Sequence, residues 1–296
     1  MHESILEYKG KRYLYISILL TLLCVGIYAS QSNMHPANGG TWQGYTLGGI
    51  ATALIVWLLA LGIRKRQYSS RLAATSGWVS AHVYLGAALL IIATLHCAAQ
   101  FGINIHTLAY LLMSIVILSG FFGLYAYMRY PKIAAENRLE KSRSALFHEL
   151  SELNTSVRNI SKKCDGEIQR IIESALERTS IGGSVISQLF ALDFSQLVKY
   201  DEKNGQSAST LVANHDQQLV IDLIAEKLPR ARKQGQPAIL QQILSILCRR
   251  QALLRRIRKD IQLQSLMKVW LLFHIPLSVA LFFALGIHIL SVFYYW

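Results

Sequence analysis

The chain has 296 residues, 52% of them hydrophobic and only 16% charged, a balance too apolar and too charge-poor for an ordinary soluble domain. Its net charge of +13 accompanies long apolar runs, so topology and anionic lipid account for the basic flanks, and no nucleic-acid partner is expected. Cys24, Cys97, Cys164 and Cys248 stand in no metal-ligand spacing, which argues against a disulfide framework and against an iron-sulfur cluster in this chain.

Five segments are long and apolar enough to cross a bilayer, which takes about 20 residues: 13 to 30, 46 to 63, 80 to 100, 107 to 128 and 269 to 294. The first also has features of a signal peptide, with Lys9, Lys11 and Arg12 ahead of it and small Ala29 and Ser30 behind, but the apolar run is long for a cleaved leader. The loops 31 to 45 and 101 to 106 and the end after 292 contain no Lys, Arg, Asp or Glu. Arg64, Lys65, Arg66 and Arg71 gather in the intervening loop. Positive residues stay inside, so the expected N-terminus is cytoplasmic and the C-terminus periplasmic, in a bacterial inner membrane. Spans three and five then run parallel.

The sequence therefore predicts an all-α integral membrane bundle of five spans, with a cytoplasmic helical insertion between spans four and five. Its expected segments are 1–130, 131–268 and 269–296. A helix break is expected at Tyr130-Pro131. Val157, Ile160, Cys164, Ile168, Ile171 and Ala175 recur at helical steps, as do Leu240, Ile243, Leu247, Leu254, Ile257 and Ile261. The stretches 180–184 and 201–209 look like turns between these helices, and no alternating strand pattern, phosphate loop or dinucleotide fingerprint stands out. A final helix from Pro237 meets no breaker before Lys268 and is expected to run into the fifth span. Its basic stretch 249–259 suggests either a solvated face near anionic headgroups or a docking face for an acidic partner.

The third span opens with His82 and closes with His96; the fifth carries His274 and His288 at the same interval. Fourteen residues advance a helix to about 40° short of four turns, so both rings of a pair leave nearly one face, about 21 Å apart along the axis. On parallel spans His82 can face His274 near the inner side, and His96 can face His288 near the outer side. Membrane histidines are costly and call for a function, and facing imidazoles at two depths suit two stacked b-type haems. Small residues, among them Gly86 and Gly286, permit a flat macrocycle between helices, although small residues also serve helix packing. Leu89, Ala93, Leu281 and Leu285 are expected to wall the haems. Arg64, Arg66, Arg71, Lys132 or Lys268 are candidates for inner propionates, and Trp42, Asn104 or Tyr294 for outer ones. His106, at the outer start of the fourth span, reads as an interfacial residue.

This pattern of histidine pairs on spans three and five resembles the transmembrane dihaem core of the ferric reductase and NADPH oxidase superfamily, and similar spacing occurs in the cytochrome b of bc complexes. The resemblance covers the five spans, roughly half the chain. It implies His82 and His274 as axial ligands of an inner haem b, and His96 and His288 as those of an outer one. No flavin or nicotinamide domain of the first family and no PEWY-type loop of the second is read among these residues. The insertion belongs to neither.

The expected function is transmembrane electron transfer, as the membrane subunit of an oxidoreductase complex. A cytoplasmic flavin or iron-sulfur protein docked on 131–268 would supply electrons to a periplasmic acceptor such as a cytochrome c. In a second reading a quinone serves this dihaem chain, with His106 and Tyr110 as outer candidates. In a third the chain is a membrane receptor or scaffold whose histidines sense pH or pack.

Overall fold

The computed structural model describes residues 5–31, 39–66, 75–203, 206–233 and 237–295. The chain divides into two units, Met1–Ala126 with Trp270–Trp296, and Tyr127–Val269.

The first unit is built from α1 (Tyr8–Ala29), α2 (Trp42–Arg66), α3 (Thr75–Cys97), the first part of α4 (Ile105–Asn137) and the last part of α9 (Pro237–Tyr295). All five helices are long and apolar enough to cross a membrane. Apolar residues surround these helices on every side, as expected of a helix bathed in lipid or protein all round. Leu19, Leu22, Phe273, Phe283 and Leu290 point outward, while Cys24, Leu47, Ile55, Leu89, Ile92, Met113, Leu281 and Leu285 form a buried cluster. Helix α3 is central: it packs closely on α1 and α2, and Trp57 of α2 stacks on Trp78 of α3. Helices α4 and α9 contribute Met113, Leu281 and Leu285 to the same cluster. The start of α1 is interrupted where Lys9, Gly10 and Lys11 take left-handed dihedrals. Helix α3 stops at Cys97, followed by left-handed Ala98 and Ala99. Helix α4 then begins under a cap in which Asn104 Oδ1 accepts the Thr107 amide at 2.9 Å.

The second unit contains the end of α4, α5 (Arg143–Ser161), α6 (Gly166–Glu177), the short α7 (Val185–Leu189), strands β1 (Gln196–Lys203) and β2 (Gln206–Ala213), α8 (Gln218–Lys233) and the first part of α9. Ser142 Oγ caps α5 by accepting the Ala145 amide. Val157, Ile168, Ile171, Ile172, Leu197, Val220, Ile224, Ile243 and Leu247 make one core. Leu146, Leu150, Leu153, Leu253, Leu254 and Ile257 make a second.

Three expectations for this unit are corrected. Helix α4 does not end at Tyr130-Pro131 but passes through Pro131 to Asn137; a proline removes one hydrogen bond and can be carried at a kink, and the chain turns at left-handed Leu139 and Glu140. The stretch 201–209 is not merely a turn: β1 and β2 pair antiparallel, with Gln196 opposite Ala213 and Lys203 opposite Gln206. Of the described side chains of this hairpin, Leu197 is the one in the core, so the apolar alternation that marks a strand is nearly absent. The basic stretch 249–259 is not a purely solvated or docking face. Arg250 is buried and donates to Asn154 Oδ1, Gln217 Oε1 and Thr179 Oγ1. Arg258 is buried too, pairing with Asp193 at 2.8 Å and donating to the Ser180 carbonyl. These planar forks fasten α5 and the segments around 179 and 193–217 to α9. Arg249 and Arg255 pair with Glu149 and Asp216.

Candidate functional site

A cavity of about 820 Å³ opens among α2, α3, α4 and α9 of the first unit. Its walls include Gly48, Ala93, His96, Asn104, His106, Tyr110, Leu281, Leu285 and His288. The expected outer pair meets there: the ring centres of His96 and His288 are 6.3 Å apart, with planes inclined at 71°. Both lie at the ends of their helices, His96 in the last turn of α3 and His288 two turns before the end of α9. Ala93, Leu281 and Leu285, expected as apolar walls, line the cavity; Leu89 lies in the buried cluster behind them.

The His96 ring is fixed by two features of α2. Its Nδ1 lies 2.8 Å from the Gly44 carbonyl oxygen. A carbonyl can only accept, so Nδ1 carries the proton and the lone pair is on Nε2. Gly48 supplies the room: a Cβ there would come within 2.8 Å of His96 Cε1. Residues 44 and 48 are one helical turn apart, and together they hold the ring against α2.

His274 is held in a similar way by α4. Ser119 Oγ lies 2.7 Å from His274 Nδ1 and donates its proton to the Val116 carbonyl at 2.8 Å. With that hydroxyl proton committed, Nδ1–H of His274 is the donor and its lone pair is on Nε2. Trp270 lies beside the His274 ring, with centroids 5.2 Å apart. Its indole N–H donates to the Ser119 carbonyl at 2.8 Å, and Gly123 leaves the space the indole fills, because a Cβ there would overlap the ring. His82 is half-buried on α3, next to buried Ser80 and Ala81. Four residues on, Gly86 is buried, yet a Cβ added to it would meet no described atom within 4 Å. Gly286 is exposed and equally unobstructed.

The structure adds one residue that the sequence reading left at the interface. His106, in the first turn of α4, has its ring centre 5.4 Å from His96 and 4.8 Å from His288. The ligating nitrogens of all three lie within 4.8 Å of one another. A signal for this was present: the loop between spans three and four is short and uncharged, so the first turn of the fourth span must return beside the last turn of the third. Three imidazoles without a carboxylate are a donor set for a first-row metal, free or in a macrocycle.

Of the residues expected near haem propionates, Asn104 lines the cavity. Trp42 and Tyr294 are exposed. The side chain of Arg66, and Arg71 altogether, lie outside the described residues. His2 and His35 lie outside them too, while His148 and His215 belong to the second unit. No family model, curated protein or solved structure matches this chain.

Proposed function

We propose that this chain is a dihaem b-type cytochrome that carries single electrons across a membrane, with His96 and His288 as axial ligands of an outer haem and His82 and His274 as those of an inner one. The observation that carries the reading is the meeting of His96 and His288. Two imidazole nitrogens each about 2.0 to 2.1 Å from a first-row metal, on opposite sides of it, lie about 4 Å apart. Adding just over 1 Å from each nitrogen to its ring centre gives roughly 6.3 Å, and the observed separation is 6.3 Å. The pairs 96–106 and 106–288 are too close for trans ligation by the same reckoning.

Further support comes from the polarisation of His96 by a carbonyl and of His274 by a serine. An outer-shell acceptor on one ring nitrogen orients a ligating histidine and raises the basicity of the other. The cavity volume is within the range of cofactor sites, and the void beside Gly86 supports room near His82. The fit has one condition, that the His106 side chain turns aside.

Bound between two histidines, each haem would supply a one-electron couple with both axial positions filled, suited to electron transfer rather than oxygen binding. The chain's own residues orient the His96 and His274 rings through Gly44, Gly48 and Ser119, and Ala93, Leu281 and Leu285 give the outer pair an apolar wall. In this reading the N-terminus is cytoplasmic and the C-terminus periplasmic. The donor is a separate cytoplasmic flavin or iron-sulfur protein that docks on the second unit, and the acceptor is a periplasmic cytochrome c or a similar species. A quinone reading draws on the same cavity, where the Tyr110 hydroxyl, 2.9 Å from Thr94 Oγ1, and Asn104 lie on the wall.

Vesicles reconstituted with the protein and loaded with ferricyanide test the function. Externally added dithionite is expected to reduce the trapped ferricyanide in a manner lost in His96→Ala and His274→Ala. Equal rates in vesicles without protein contradict the proposal, and reduction of the protein by a quinol analogue favours the quinone reading.

A further inference from the structure

The haem reading uses two of the three imidazoles that meet in the cavity and gives His106 no part. The three ring separations place the His106 ring centre about 4 Å from the midpoint of the line joining His96 and His288. That midpoint is where an iron shared by His96 and His288 would lie, so His106 falls inside the outline of a porphyrin spanning the gap. The ring in this rotamer and a macrocycle exclude each other.

The same rotamer suits a different occupant. In a tetrahedral site with nitrogens about 2.0 to 2.1 Å from the ion, neighbouring ring centres are roughly 5 Å apart. The 4.8 and 5.4 Å separations involving His106 match this, and the third pair must close by about 1 Å. His96 already presents Nε2, because its Nδ1–H is committed to the Gly44 carbonyl. The donor set is all imidazole, which favours Zn²⁺ or Cu²⁺ over Mg²⁺ or Ca²⁺. A fourth position faces the cavity, where water completes the coordination as in other three-histidine sites.

We propose that the haem-free chain binds one borderline divalent cation, Zn²⁺ or Cu²⁺, through His96, His106 and His288. Where the outer haem of the proposed function also forms, a corollary that rests on that reading, cation and haem compete for His96 and His288. His106 then decides between them: turned in, it completes the cation site; turned out, it admits the macrocycle.

The test uses full-length, haem-free protein without a histidine tag, stripped with chelator and titrated with Zn²⁺ alone by calorimetry. The wild type is expected to take up one equivalent. His106→Ala and the more conservative His106→Asn are expected to weaken binding by about 100-fold, the upper end of what losing a mere outer-shell partner costs, whereas His148→Ala leaves it unchanged. Equal affinity in the wild type and both His106 variants, or no stoichiometric uptake by the wild type, overturns the proposal. Haem titration of the same preparations separates the two readings. Zn²⁺ that blocks haem uptake by the wild type but not by His106→Ala supports both. Zn²⁺ uptake dependent on His106 in a protein that takes no haem leaves the cation site in place and removes the haem reading.

Discussion

Gly48→Ala is a one-methyl perturbation aimed at the His96 ring without touching a ligand. The added Cβ would stand 2.8 Å from Cε1 and 3.0 Å from Nδ1, whereas carbon atoms rest about 3.5 to 4.0 Å apart. The ring must therefore retreat by about 0.7 Å. Its bond to the Gly44 carbonyl, now 2.8 Å, would stretch by up to the same amount, to a limit of about 3.5 Å, beyond the usual N–H···O range of roughly 2.7 to 3.2 Å. The ring then loses the partner that fixes its tautomer and direction, a loss that typically costs 10- to 100-fold in metal affinity, or about 1.4 to 2.8 kcal/mol. Zn²⁺ titration of the haem-free protein and haem titration of the same preparation both read this loss, with Gly49→Ala as control, since a Cβ at Gly49 meets no described atom within 4 Å. Affinities of Gly48→Ala within about twofold of wild type in both titrations would show that α2 does not hold His96.

Ser119→Ala removes the acceptor from His274 Nδ1 and is expected to weaken the inner haem 10- to 100-fold while sparing the outer one, as read by haem titration with low-temperature spectra. Arg250→Met deprives Asn154, Gln217 and Thr179 of a buried donor; leaving a buried neutral acceptor unsatisfied costs about 1 to 3 kcal/mol. Hydrogen exchange followed by mass spectrometry should show protection of α5 and α6 falling by about 5- to 150-fold, and a fall under twofold would contradict it. Lys141 and then Arg249, through hydrogen bonds, hold the Glu149 carboxylate below its ordinary range. A carboxylate depressed on folding stabilises the fold above its unfolded pKa of about 4.3 and loses that contribution as pH falls through the lower folded value. Protection of α5 in wild type should therefore exceed that in Glu149→Gln at neutral pH, and the difference should vanish in acid.

The membrane helices were legible because an unbroken apolar run of about 20 residues matches the thickness of a bilayer core and is rarely carried by a soluble helix. The His96–His288 encounter was legible because each of these two apolar helices carries a histidine near its C-terminal end, His96 in the last turn of α3 and His288 two turns from the end of α9. The second unit was legible where a helix had a periodic face, as in Val157 to Ala175, although the chain breaks between Ser161 and Gly166 within that run. It was illegible where local chemistry was overruled by tertiary contacts. The hairpin 196–213 takes its place through Leu197 and through the Val198 amide donating to Ser174 Oγ, neither of which appears as alternation. Arg250 and Arg258 look like solvent-facing charge in sequence; their partners at 154, 179, 193 and 217 are too distant along the chain to be inferred. His106 falls outside the fourteen-residue interval, so the sequence offers it as an interfacial or quinone-side residue and not as a third partner of His96 and His288; its place beside them depends on how tightly α4 returns on α3.

Two haems held by four histidines require a definite stoichiometry. Pyridine-haemochrome quantification of the purified full-length protein, together with reduced-minus-oxidised spectra, tests it in the wild type, His82→Ala, His274→Ala, His96→Ala and His288→Ala. Two haem b per wild-type chain and one in each variant are expected, with one spectral component lost from the first two variants and the other from the second two. A folded wild type that takes up no haem, or variants that keep both, would contradict it.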